Sequence, residues 1–139
     1  MVIKRFLAPI FLIALLVIST TMVFGADVKI IAYYFHGNAR CPTCHKMEQY
    51  TKEAIEENFK DELANGLLVV KIVNVEEKEN EHFVNDYQLY TKSLIISRVE
   101  NGKEIEHKNL TKIWEYVRDK NEFFNYVTAE INNYLKDSQ

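Results

Sequence analysis

The sequence predicts an α/β domain in which helices cover both faces of a mixed four-stranded sheet, in the order β-α-β-α-β-β-α. Three segments predict buried strands because they are rich in β-branched and aromatic residues and almost continuously apolar: Val28–Phe35, Leu67–Val75 and Leu94–Val99. After the third strand, Asn101-Gly102 favours the positive φ angles of a tight hairpin turn. Glu104–His107 is therefore expected to return as an antiparallel fourth strand. This combination predicts a three-layer α/β/α architecture.

Three helical segments connect or follow these strands. The first is predicted over Pro42–Ala64, where apolar residues recur at helical spacing and Asn65-Gly66 provides a stop signal. A second, highly charged helix is predicted over Lys78–Leu89. The tail Leu110–Leu135 is predicted to be helical, with a break near 119–121 and one apolar stripe made of Ile113, Trp114, Val117, Phe124, Val127, Ile131 and Tyr134.

Composition limits the class of protein. The chain has 139 residues, of which 47% are apolar and 12% aromatic, with only four Gly, two Pro and two Cys. These values exclude a disordered chain, a collagen-like chain and a small domain held together by many disulfides. The length is typical of one compact domain.

The N-terminus has the three-part pattern of a secretory signal. Lys4 and Arg5 precede an apolar run, and small residues follow it, with a cleavage point predicted between Gly25 and Ala26. The alternative is an uncleaved anchor, since 6–24 approaches the ~20 residues that span a bilayer. We therefore expect 1–25 to be a signal peptide or membrane anchor, and 26–139 to be an exported domain that is periplasmic, secreted or membrane-tethered.

Charge indicates which partners to exclude. The net charge is −3, and it becomes −5 once the two basic residues of the N-terminal segment are left out. An acidic domain without a basic cluster is unsuited to nucleic acid or to anionic lipid headgroups, whose binding depends on Lys and Arg.

The segment Cys41-Pro42-Thr43-Cys44 is the candidate reactive site of the chain. Three-residue spacing is close to one helical turn, so the two sulfurs can form a small disulfide ring, and export favours its persistence. Pro42 suits the first position of a helix, which makes Cys41 the expected N-cap. Unpaired N–H groups and the helix dipole stabilise a thiolate there.

The two cysteines are expected to differ in role. Cys44 continues an apolar stripe and should be buried, whereas Cys41 lies at the helix end, where a substrate can reach it. We therefore predict Cys41 as the attacking nucleophile and Cys44 as the resolving thiol. Arg40 and Lys46 are expected to add positive charge around the pair.

The chain resembles the thioredoxin-like superfamily. The resemblance rests on the strand VKIIAYYF, on Cys41-Pro42-Thr43-Cys44 opening a helix, and on the hairpin followed by a C-terminal helix. More narrowly, 33–37 (YYFHG) followed by 40–44 (RCPTC) is similar to a small group of exported thioredoxin-like proteins sometimes labelled a nitrophenyl-compound nitroreductase subunit family. The superfamily resemblance implies thiol–disulfide exchange with protein thiols or a redox partner protein, with no cofactor. The chain has no flavin or nicotinamide motif.

Three positions depart from the pattern of thioredoxins. Arg40 replaces the tryptophan before the first cysteine, and Tyr34 stands where thioredoxins have a buried acid. Lys92-Ser93 occupies the region of a substrate-binding proline. The resemblance therefore implies a different mode of substrate docking.

Two other kinds of site remain open. Cys41 to His45 also matches the attachment motif of c-type haem, with His45 as the proximal ligand and His82 or His107 as the other. Alternatively, the two thiolates and distant histidines would hold Cu(I) or Zn(II). His36, in the loop leading to Cys41, and His45, directly after the motif, are candidates to modulate the site, together with Arg40, Pro42 and Thr43.

Overall fold

The computed structural model describes residues 27–137. The strands are β1 (Val28–His36), β2 (Leu68–Asn74), β3 (Ser93–Glu100) and β4 (Lys103–Asn109). The helices are α1 (Pro42–Asn58), α2 (Lys60–Ala64), α3 (His82–Asp86), α4 (Ile113–Tyr116) and α5 (Lys120–Lys136), and a 3-10 turn covers Lys78–Asn80. Among these residues, no helix is long and apolar enough to cross a membrane. The predicted signal or anchor lies outside the described residues.

The four strands form one mixed sheet in the order β2-β1-β3-β4. β1 is parallel to β2 and antiparallel to β3, and β3 is antiparallel to β4. Helices cover both faces, so the predicted fold class is confirmed. This is the arrangement that the resemblance to the thioredoxin-like superfamily implies.

β1 is buried on both faces because a core packs against each face of the sheet at this strand, which explains its continuous apolarity. Ile30, Ala32 and Tyr34 face the larger core, which contains residues of α1, α4 and α5. Alternate residues of β1, including Tyr33 and Phe35, face a smaller, aromatic core that includes Phe83 and Tyr87. The period-2 geometry of a strand thus divides one apolar run between two cores.

β2 corrects the prediction of a buried strand. It is an edge strand, in which Lys71 is exposed and 37% of the surface of Ile72 remains accessible. Apolar β-branched residues stabilise an extended conformation wherever the strand lies in the sheet, so they did not distinguish an edge position from a central one.

The helix boundaries also differ from prediction. Helix α1 ends before Phe59, whose φ of −132° and ψ of 42° are not helical, and α2 then begins at Lys60. The charged segment predicted as one helix over Lys78–Leu89 contains only the 3-10 turn and α3. It has too few apolar residues to stabilise a longer helix against the sheet.

Two predicted breaks are confirmed. Asn101 and Gly102 have φ angles of 50° and 79° and form the β3–β4 turn. Asp119 is the N-cap of α5, where its carboxylate accepts from the backbone N–H groups of Asn121 and Glu122.

Candidate functional site

The two cysteines form a disulfide at the beginning of α1, with their Cα atoms 5.0 Å apart. Cys41 is the N-cap in an extended conformation, and Pro42 occupies the first turn, where its missing N–H breaks no helical hydrogen bond. The backbone N–H of Cys44 donates to the Sγ of Cys41 over 3.1 Å. The first turn of the helix therefore directs a hydrogen-bond donor at the outer sulfur atom.

The two sulfurs differ in environment. Cys41 is exposed, whereas Cys44 has only 2% of its surface accessible. This difference follows from the helix geometry, because Cys44 lies on the same face of α1 as Met47 and Thr51, which are both buried. A partner can reach the sulfur of Cys41 directly.

The charges around the pair differ from the sequence prediction in one respect. Arg40 forms an ion pair with Glu48, almost two turns into α1, and both side chains are largely buried. The carboxylate compensates the positive charge that Arg40 was expected to provide. The first turn of α1 itself contains no acidic residue, so the positive end of the helix dipole is not neutralised there.

Tyr34 lies directly beneath the disulfide. Its hydroxyl donates to the carbonyl oxygen of Cys44 over 2.7 Å, and its side chain is fully buried. Burial raises the pKa of Tyr34 to about 12, against a smaller lowering by the Arg40 guanidinium. At neutral pH the hydroxyl is therefore a hydrogen-bond donor that connects the sheet to the first turn of the helix.

The loop before Cys41 is held by residues that sequence reasoning did not identify. The carboxylate of Glu76 accepts from the backbone N–H of Asn38 over 2.8 Å, and the side-chain amide of Asn74 donates to the Asn38 side chain over 2.8 Å. A side chain at Gly37 would displace the Glu76 carboxylate, because its Cβ would lie 2.8 Å from Oε1. These contacts depend on the end of β2 lying beside the end of β1, which sequence spacing does not reveal.

The remaining predicted site residues fall into two groups. Pro42, Thr43 and His45 are exposed on the first turn of α1, around the disulfide. His36 instead donates from Nδ1 to the carbonyl of Gly37 over 2.9 Å. Its ring borders a cavity of about 180 Å³ whose lining also includes Phe35 of the aromatic core.

Neither His82 nor His107 forms a cluster with the two cysteines. His82 donates to Asp86, and His107 donates to Glu104. Within 27–137, no three His, Cys, Asp or Glu side chains come together in an arrangement able to hold a metal ion. The geometry therefore gives no support to a zinc or copper site.

No protein-family model and no curated protein match this chain. Among solved structures, the chain is similar to one described as a malarial protein, with 14% identity, a TM-score of 0.40, and coverage of 66% of this chain and 96% of the other. It is also similar to a thioredoxin from Fasciola hepatica, with 18% identity, a TM-score of 0.38, and coverage of 65% of this chain and 79% of the other. A third similar structure is Trxlp from Edwardsiella tarda EIB202, with 18% identity, a TM-score of 0.37, and coverage of 61% of this chain and 71% of the other.

Proposed function

We propose that this chain is a thioredoxin-like thiol–disulfide oxidoreductase that exchanges its Cys41–Cys44 disulfide with the thiols of partner proteins. The observation that carries this proposal is the asymmetry of the pair. One sulfur is exposed at a helix N-terminus, and the other is buried in the same turn. A disulfide of this kind can be opened from one side only.

The reaction follows from that asymmetry. A partner thiolate attacks the Sγ of Cys41, the bond between Cys41 and Cys44 breaks, and Cys44 leaves as a thiolate. A second partner thiolate then attacks the partner sulfur of the mixed disulfide, and Cys41 leaves as a thiolate. Two electrons pass from the partner dithiol to the cysteine pair, and the two protons of the partner thiols go to solvent or to the new thiolates. In the reverse direction, the Cys41 thiolate attacks a partner disulfide and Cys44 resolves the product.

The helix terminus supports the role of Cys41 in both directions. The Cys44 N–H beside its sulfur and the helix dipole favour the charged thiolate over the neutral thiol. A stabilised thiolate is both the species that attacks a disulfide and a good leaving group. Cys44, with only 2% of its surface accessible, lacks the exposure that a first attack requires.

Two cysteine variants test the proposal. Cys44→Ser should accumulate a stable mixed disulfide with a partner, because the resolving thiol is absent, whereas Cys41→Ser should form none. Non-reducing electrophoresis and mass spectrometry detect the adduct, and Thr43→Ser provides a matched control within the same turn. Equal trapping by both cysteine variants, or alkylation of Cys44 before Cys41 in the reduced protein, would contradict the assigned roles.

We also propose that the domain acts outside the cytoplasm, with 1–25 serving for export. The support comes from the order of basic, apolar and small residues in that segment. Expression of the full chain, followed by fractionation and N-terminal sequencing, tests this proposal. A mature protein beginning at Ala26 indicates a cleaved signal, an intact chain in the membrane fraction indicates an anchor, and an intact chain in the cytosol contradicts export.

A further inference from the structure

Two members of the apolar stripe predicted from the sequence are not fully buried. Trp114 has 39% of its surface accessible, and its indole Nε1–H donates to the backbone carbonyl of Lys92 over 3.0 Å. Phe124 is only partly buried, and it lines a groove of about 620 Å³ between the end of α1 and α5. This volume lies within the range of about 300–1,000 Å³ that is usual for small-ligand sites.

The groove is lined mainly by neutral polar side chains. The residues that carry an amide or hydroxyl group there are Asn58, Asn121, Asn125, Thr128 and Asn132. Those on α5 recur at intervals of four, three and four residues, so they share one face of the helix. Asn and Thr form helices less readily than Ala, Lys or Glu, because their side chains compete for backbone hydrogen bonds or lose rotamer freedom. The stability of α5 therefore does not explain this stripe.

The charges near the groove are few and largely paired. Glu57 is the one charged residue of its lining. Lys120, at the start of α5, forms an ion pair with Glu53 over 2.7 Å and places Nζ 4.8 Å from the centroid of the Phe124 ring. An anionic ligand requires basic side chains that this lining does not offer, and an apolar ligand would leave the amide groups without partners.

The chemistry of the lining matches a neutral sugar. A primary amide presents two N–H donors and a carbonyl acceptor in one plane. Neighbouring hydroxyl groups of a sugar both donate and accept, so they can pair with a row of such amides. Phe124, whose ring is contacted edge-on by Tyr50 at a centroid distance of 6.0 Å, adds an apolar surface for the C–H groups of a sugar ring.

We propose that the groove between α1 and α5 binds a neutral oligosaccharide through the side-chain amides of Asn121, Asn125 and Asn132 and the ring of Phe124. The site lies at the opposite end of α1 from the cysteine pair, roughly 20 Å along the helix axis from Cys44. Binding is therefore independent of thiol–disulfide exchange, and the inference stands apart from the proposed oxidoreductase function.

The test uses the full-length oxidised protein, labelled with ¹⁵N, and the neutral probes chitotetraose, cellotetraose and maltotetraose. At least one probe, added to about 10 mM, should shift the side-chain amide signals of Asn121, Asn125 and Asn132 in NMR spectra. Asn125→Ala and Asn132→Ala should each raise the Kd about 5-fold, the value of one hydrogen bond. Asn133→Ala changes the next exposed residue of α5, outside the groove, and should change the Kd less than about 2-fold.

Thermal unfolding separates a loss of binding from a loss of structure. Alanine forms helices more readily than asparagine, so each variant should unfold at the same temperature as the wild type or at a higher one. The inference is overturned if none of the three tetrasaccharides shifts the groove amides, or if Asn132→Ala and Asn133→Ala weaken binding equally. Tighter binding of acidic tetragalacturonate, or binding of a neutral Gly-Ser peptide in place of every saccharide, would also overturn it.

Discussion

Tyr34→Phe removes the single hydroxyl that joins the central strand to the first turn of α1. The hydroxyl donates to the Cys44 carbonyl over 2.7 Å within a fully buried environment. Phenylalanine retains the ring, so the substitution removes one hydrogen bond and leaves only a small void. A buried hydrogen bond of this kind contributes about 1 kcal/mol to the free energy of unfolding. For a domain of this size, that loss lowers Tm by about 4 °C.

Tyr33→Phe is the matched control, since it makes the same chemical change one residue away. Tyr33 faces the aromatic core on the other side of the sheet, where its ring stacks on that of Phe35. Loss of the Tyr33 hydroxyl therefore leaves the contact between β1 and α1 intact. This substitution should lower the free energy of unfolding by less than about 0.5 kcal/mol. Urea unfolding of the oxidised proteins, followed by circular dichroism, measures both values.

The Tyr34→Phe variant also measures how strongly the Tyr34 hydroxyl affects the reduction potential of the cysteine pair. If the hydrogen bond were lost completely in one redox state and kept in the other, the reduction potential would move by about 20 mV, because 30 mV corresponds to about 1.4 kcal/mol. Equilibration with glutathione buffers measures this shift. A Tyr34→Phe protein as stable as the wild type, or a Tyr33→Phe protein destabilised as much, would refute the assignment of the hydroxyl as a structural link.

Two further predictions concern pH and a helix cap. Burial raises the pKa of Tyr34 and of Tyr134 to about 12 from the ordinary value of 10.0, so the folded protein holds these protons more tightly than the unfolded chain. Stability should therefore fall as the pH rises from 10 towards 12, and less steeply in Tyr34→Phe; equal slopes in thermal scans would contradict the prediction. Asp119→Ala should lower the free energy of unfolding by about 1 kcal/mol, because it removes the N-cap of α5. The control is Asp61→Ala, which loses an exposed carboxylate without a cap hydrogen bond and should change the free energy of unfolding by less than about 0.5 kcal/mol. Urea titrations measure both variants, and an equal loss of stability in the two would exclude the capping role of Asp119.

Local patterns predicted the framework of this fold well. The apolar run of β1, the Asn101-Gly102 turn and the Asp119 cap each act within a few residues, so their consequences can be recognised without knowing what packs against them. The same holds for the Cys-Pro-Thr-Cys turn, whose spacing and proline place the cysteines at a helix start. The prediction of one helix over Lys78–Leu89 was wrong, because the apolar pattern there is too weak to form a full helix without stabilising tertiary contacts.

At the candidate site, too, features set by near neighbours in the chain were predictable, and contacts between distant residues were not. Burial of Cys44 and exposure of Cys41 were predictable, because they follow from positions along one helix. The compensation of Arg40 by Glu48 was missed, although the residues lie only two turns apart, because the sequence does not show the direction in which a side chain at the helix start turns. Glu76 and Trp114 were missed because each acts on a loop brought close only by strand pairing.

The order of elements and the position of the cysteine pair at a helix N-terminus were predictable from the sequence, because both depend on interactions between near neighbours in the chain. The surroundings of the pair depend on the tertiary structure. It placed the Tyr34 hydroxyl beneath Cys44, Glu76 against the loop before Cys41, and the Trp114 indole on the loop before β3. These contacts join residues distant in sequence, and they exist only because the sheet brings the last residues of β1 and β2 and the first residues of β3 to the same end of the sheet.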